Sequence, residues 1–169
     1  MDEAERRIAT FRSRATAPVR AKLDALLDLE RLPHRRIVPF LLEVLADKRE
    51  PVQVRSHVLK RLSNGQLRQR YRLAVAEAMR QVLADRSSPD LRLQTALALA
   101  EFVDLEGVPT ALGSLALDTA EPIDLRYSAF TSLQRAGPTP ECVGLLRRLL
   151  TDEELGRSAR SVLAVWRRA

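Results

Sequence analysis

Two histidines, His34 and His57, one cysteine, Cys142, and one tryptophan, Trp166, are the side chains from which nucleophilic, metal or cofactor chemistry would have to be assembled. A catalytic thiolate needs a base within reach, and neither histidine lies near Cys142. It stands beside Val143 and Leu145 near the start of an apolar helix, where a free cysteine is a small hydrophobe. A structural zinc site needs Cys and His ligands in close pairs, which this chain does not supply. No Gly-rich phosphate loop, His-Glu-x-x-His or Gly-x-Ser-x-Gly is present. His34, in Leu-Pro-His-Arg-Arg, opens a helix and His57 lies on a repeat helix, and both read as surface or structural residues. Trp166, with Val162 and Leu163, seals the C-terminal end of the core. Asp47, Asp85, Asp118 and Asp152 look like the carboxylates of acid–base catalysis, but they recur at a regular interval, which marks scaffolding. The expectation is a chain with no catalytic residues, no metal, no cofactor and no enzymatic activity.

Arginine is the other chemistry available. The stretch Arg61-Leu-Ser-Asn-Gly-Gln-Leu-Arg68-Gln-Arg70-Tyr71-Arg72 carries four more cations than acids, and Arg80 extends the row. At 3.6 residues per turn, Arg68, Arg72 and Arg80 share one helix face, opposite Leu67, Tyr71, Val75, Ala78 and Val82, which take the buried side. Arg35 and Arg36 widen the patch. Residues 1–86 hold 19 basic against 11 acidic side chains, residues 87–169 only 9 against 11, so the surplus lies in the first half. Such a surplus steers any polyanion toward it. Aromatics are sparse, which disfavours base stacking on single strands, and duplex backbone contact or an acidic protein segment fits better. A merely solvated face is the competing reading.

The elements that must position these residues follow from apolar spacing. Ile8 and Phe11, then Leu23, Leu26, Leu27 and Leu29, then Ile37, Leu41, Leu42 and Leu45 recur at steps of three and four, without strand alternation. Prolines 18, 51, 89, 122 and 138 fall at segment starts, where a missing N–H costs nothing. Ser88 and the turn aspartates offer acceptors to free helix N–H groups, and Gly65, Gly107 and Gly137 mark turns. The helices expected are 3–14, 18–31, 34–46, 51–63, 67–85, 89–103, 108–117, 122–136, 139–151 and 154–168. The helix 89–103 is apolar on almost every side and is expected to be sandwiched, with Leu97 and Leu99 both buried. The 169 residues, 46% of them apolar, suffice for one domain. No apolar stretch approaches the roughly 20 residues that span a bilayer, and the opening Met-Asp-Glu-Ala-Glu lacks a secretory signal, so a cytoplasmic protein without a membrane partner is expected.

One pattern repeats: Pro18-Val19-Arg20, Pro51-Val-Gln-Val54-Arg55, Pro89-Asp-Leu91-Arg92 and Pro122-Ile-Asp-Leu125-Arg126, at intervals of 35, 37 and 34 residues. Asp47, Asp85 and Asp118 each precede a proline by four residues. Asp152 opens a degenerate copy in which Leu155, Ala159 and Leu163 match Leu125, Ala129 and Leu133. This motif resembles HEAT repeats, most closely the bacterial phycobilisome-lyase-like form, over about residues 16–165. The resemblance implies an all-α solenoid of about five helix pairs in a right-handed superhelix, each second helix lining the concave face. It also implies a polar ladder between units, here Asp47, Asp85 and Asp118 with Arg55, Arg92 and Arg126, ending where Gly156 replaces the arginine. The chain is expected to be a single domain over 1–169, with a polar capping helix at 1–15, repeats at 16–152 and a second cap at 153–169. Some HEAT-like families are enzymes. The deoxyhypusine hydroxylase type binds iron through His-Glu pairs, and neither histidine here is followed by Glu. The alkylpurine glycosylase type needs aromatic side chains in its cleft. Bilin lyase-like activity is a remoter expectation. The function expected is a non-enzymatic interaction scaffold or adaptor. It would hold another protein, by an acidic segment, on the concave face through Arg68, Arg72, Arg80, Arg35 and Arg36, with nucleic-acid binding as the alternative.

Overall fold

A proline cannot continue a helix backwards, but it ends an extended segment well. Pro18, Pro51 and Pro122 do so with φ near −55° and ψ between 142° and 148°, each standing immediately before a helix. The computed structural model describes residues 1–15, 17–64 and 66–169, so the turn expected at Gly65 and the repeat boundary at Thr16 lie outside the described residues. The helices are α1 (Glu3–Ser13), α2 (Val19–Glu30), α3 (Ile37–Ala46), α4 (Val52–Leu62), α5 (Gln69–Ala84), α6 (Pro89–Ala98), α7 (Val108–Leu117), α8 (Ile123–Ala136), α9 (Pro140–Arg148) and α10 (Gly156–Arg168). No strand occurs among the described residues. The protein is an all-α solenoid of HEAT-like helix pairs, as its repeat predicts.

Helix ends depart from expectation where the last or first turn tightens. The segments expected at 89–103 and 139–151 finish as 3₁₀ turns, Leu99–Phe102 and Leu149–Thr151. Helix α3 starts at Ile37 rather than 34, because His34 folds a turn in which its Nδ1 accepts the Arg36 N–H at 3.2 Å and its carbonyl accepts the Ile37 N–H. Ser88 makes no side-chain cap at the start of α6. Gly107 and Gly137 do turn the chain, at φ of 83° and 86°, where a Cβ would be strained.

The chain forms two compact units, Met1–Tyr71 and Arg72–Ala169. In the first, α1 packs on α2, and α2 and α3 pack on α4. Its core runs through Phe11, Leu26, Leu29, Leu41, Leu45, Val58 and Leu62, with the Phe11 and Phe40 rings edge to face at 5.4 Å. In the second, α6 and α7 pack on α8, α7 on α9, and α9 on α10. Met79, Leu91, Leu99, Leu112, Leu133, Cys142 and Leu146 fill it. Leu99 is fully buried, but Leu97 is 40% exposed, which corrects the expectation that both are sandwiched. One side of α6 is open to solvent, as one face of a helix in a two-layer stack must be. The first unit holds 16 basic and 9 acidic side chains, the second 12 and 13, so the charge asymmetry coincides with the division into units.

Candidate anion-binding cleft

The repeat's cations are positioned by helix starts. Lys22, Arg55, Arg92 and Arg126 each stand four residues after the N-cap of their helix and donate the backbone N–H to its carbonyl at 3.0–3.2 Å. The first copy's cation is thus Lys22 and not Arg20. The arginine Nε groups donate to Leu45, Leu83 and Ala116 carbonyls at 2.8, 2.7 and 2.9 Å. Each of these carbonyls lies in the last turn of the preceding helix, where acceptors are otherwise unmet and the helix dipole favours a cation.

The aspartates of the expected ladder take different parts from copy to copy, and two glutamates join them. Asp47, Asp85 and Asp118 use Oδ1 to accept the N–H two residues on, from Arg49, Ser87 and Ala120, and so shape the turns. Lys22 pairs instead with Glu50 at 2.7 Å, and Arg92 grips Glu121 through two bonds of 2.8 and 2.9 Å, each acid being the residue just before a proline. Arg126 bonds Asp152, whose other oxygen accepts the Glu154 and Leu155 N–H groups. The Arg92 hydrogen bonds hold the Glu121 carboxyl below its ordinary range against the opposing effect of burial. Burial pushes Asp152 up, but its hydrogen bonds from Leu155, Arg126 and Glu154 bring it below the ordinary value.

Of the expected row Arg68, Arg72 and Arg80, the last two have acidic partners. Arg72 is half-buried. It forks onto Asp104 at 2.6 and 2.7 Å, donates to the Glu101 carbonyl at 2.8 Å and lies over the Phe102 ring. Arg80 faces Glu77 at 3.5 Å. Arg36 reaches back to Glu5 of α1. Arg68, just before α5, and Arg35, in the turn before α3, instead border the same cleft in the first unit, a space of about 300 Å³.

Arg61 and Arg70 complete this cleft with Tyr71, Leu67, Val38 and Pro33. The Tyr71 hydroxyl donates to the Arg35 carbonyl at 3.2 Å, and Arg70 covers the ring at 4.8 Å while donating to the same hydroxyl at 3.0 Å. Tyr71 is therefore half-buried and fixed, not on a fully buried face as expected. The one carboxylate in the lining, Glu30, is already engaged by His57 at 2.9 Å and Arg61 at 3.7 Å. Arg35 and Arg68 make no side-chain ion pair among the described residues. Arg61 and Arg70 were in the sequence cluster, but only the fold sets them opposite Arg35.

Fold and site together define a helical-repeat protein with a basic cleft. No protein-family model matches the sequence, and no curated protein matches it. Among solved structures it is similar to human deoxyhypusine hydroxylase, a HEAT-repeat protein determined with glycerol, at 18% identity and a TM-score of 0.63. The likeness covers 96% of this chain and 62% of that one, so the chain spans less than two thirds of its neighbour. At this identity it shows the fold, and the narrower phycobilisome-lyase-like resemblance rests on the repeat motif alone. The expectation of a chain without enzymatic activity is corrected here: an enzyme shares this solenoid, so the fold gives no ground for excluding catalysis. The iron-binding His-Glu pairs of that enzyme type do not fit the donors present. His34 and His57 each face one carboxylate, Asp2 and Glu30, and no group of three or more His, Cys, Asp or Glu side chains gathers among the described residues. No described helix is long and apolar enough to cross a membrane.

Proposed function

We propose that the chain is an interaction module, a scaffold or adaptor, whose first unit captures an acidic segment of a partner protein in the cleft between the turn before α3 and the start of α5. The supporting observation is the imbalance at that cleft: among the described lining residues four arginines, Arg35, Arg61, Arg68 and Arg70, stand against one carboxylate, Glu30, which His57 and Arg61 already contact. Val38, Leu67 and Pro33 add an apolar wall, so a segment with both acidic and aliphatic side chains gains hydrophobic contact as well as charge. Single-stranded nucleic acid is the poorer fit, because Tyr71 is the one aromatic residue in the described lining and Arg70 already covers its ring. The residues 1–15 and 153–169 serve as caps of the stack in this reading.

The test is fluorescence anisotropy with a labelled Glu- and Leu-rich peptide and, separately, a duplex DNA oligonucleotide, for wild type and for the Arg35→Glu/Arg68→Glu variant. Peptide binding that is lost in the variant and persists partly at high salt supports the module. Binding of duplex alone, with log K falling linearly on log salt by about 0.9 per phosphate contacted, would assign the cleft to nucleic acid instead.

A further inference from the structure

We propose that the group read by this cleft is a phosphomonoester on a side chain of the partner segment, one doubly charged group rather than a run of carboxylates. The inference rests on the first unit being the partner-binding region and specifies what it recognises. Arg35, Arg61, Arg68 and Arg70 line one cleft of about 300 Å³. Four arginines lining one cleft are poorly used by a single carboxylate, which brings one charge and two oxygens. A phosphomonoester brings nearly two charges and three acceptor oxygens, and planar guanidinium forks match it.

The surroundings of the four arginines divide the labour. Arg61 is tied toward Glu30 and Arg70 is held over Tyr71, so both are pre-oriented. Arg35 has its carbonyl pinned by the Tyr71 hydroxyl, while its own guanidinium, like that of Arg68, makes no ion pair among the described residues. Two held and two adaptable arginines thus line one cleft, and an anion bound there costs little rotamer freedom in the held pair. The remaining wall, Val38, Leu67 and Pro33, suits the aliphatic neighbours of a phosphorylated residue.

The experiment is a ¹H–¹⁵N NMR titration of the full chain with N-acetyl-phosphoserine amide, N-acetyl-glutamate amide, dimethyl phosphate and inorganic phosphate. The expected result is that phosphoserine amide shifts resonances of residues 30–38 and 61–71. It should bind at least about tenfold more tightly than glutamate amide, the worth of one additional charge-assisted bond. Arg35→Gln/Arg68→Gln, at exposed positions outside the core, should remove the response while the helical circular dichroism stays. Arg147→Gln/Arg148→Gln in the second unit should keep it. Equal affinity for the phosphoserine and glutamate amides overturns this inference and leaves the acidic-segment reading standing. Dimethyl phosphate binding as well as phosphoserine amide does so in favour of a diester backbone, and tighter binding of inorganic phosphate in favour of a free small anion. Shifts outside the cleft, or none in it with any probe, overturn the phosphomonoester, and the acidic-peptide assay then decides separately whether the module reading survives.

Discussion

Arg92 and Glu121 lie 29 residues apart and close on each other through two hydrogen bonds, while Arg92 Nε holds the Leu83 carbonyl at the end of the preceding helix. One side chain thus fastens three segments, the end of α5, the start of α6 and the turn before α8. Both partners are buried, so the pair is worth most as a pair. Removing one partner leaves a charge and a carbonyl without compensation, at a cost greater than the pair's net contribution.

Arg92→Ala should destabilise the protein by about 3 kcal/mol. Arg86 also touches Glu121, at 3.1 Å, but its side chain is largely exposed, and Arg86→Ala should cost about 0.5 kcal/mol or less. Urea denaturation of both variants checks the contrast. Equal midpoints would remove the ladder from the account of stability.

The pH dependence follows from the lowered carboxyls. Glu121, held down by Arg92, and Asp104, held down by Arg72, bind protons less readily folded than unfolded. Their stabilisation is complete above the unfolded carboxylate range, near pH 4, and is lost as pH falls through the lower folded values. The melting temperature should therefore decline steeply in acid, and Glu121→Gln should shallow that decline while lowering stability near neutrality. A Glu121→Gln acid profile parallel to wild type would contradict the assignment.

Leu99→Asp and Leu97→Asp should separate sharply although the residues are two apart. Leu99 is fully buried, and an unpaired carboxylate there costs several kcal/mol, enough to unfold a domain of ordinary stability. Leu97 is substantially exposed, and its aspartate variant should keep its helical circular dichroism and melt within a few degrees of wild type. Loss of folding in both would place Leu97 in the core after all.

Two glycine substitutions should have opposite signs. At Gly156 a Cβ would stand 2.6 Å from the Leu150 carbonyl oxygen and 3.2 Å from that of Leu149, and backbone cannot swing aside, so Gly156→Ala should cost about 1–3 kcal/mol. At Gly144, inside α9, a Cβ meets nothing within 4 Å, and alanine should stabilise by about 0.5–1 kcal/mol through helix propensity. Thermal melts of the two variants test the pair of signs.

Gly156 also shows how far the repeat pattern reaches. Its place in the degenerate copy identifies it as the point where the arginine is lost. Only the packing shows why, since the start of α10 lies directly against the carbonyls of the 3₁₀ turn that an arginine would otherwise cap at a distance. Likewise the Pro-aliphatic-Arg motif locates Arg55, Arg92 and Arg126, because helix starts and apolar periodicity are local properties of the chain. It misplaces the first cation at Arg20, two residues short of Lys22, because the invariant is distance from the N-cap and not adjacency to an aliphatic residue. It does not reveal Glu50 or Glu121 as the ladder acids, because which acid meets which cation depends on how far one helix pair advances over the last.

The candidate cleft divides the same way. The surplus of arginine in the first half, and the candidacy of Arg35 and Arg68, are properties of composition and position that the sequence alone determined, as were the all-α class and ten helix locations. The pairing of Arg72 was decided by tertiary structure: Asp104, 32 residues downstream, binds it through two hydrogen bonds. Helical periodicity says which side of a helix a residue occupies, but a cation is available only if no anion has folded against it, and that is settled by contacts between residues distant in the chain.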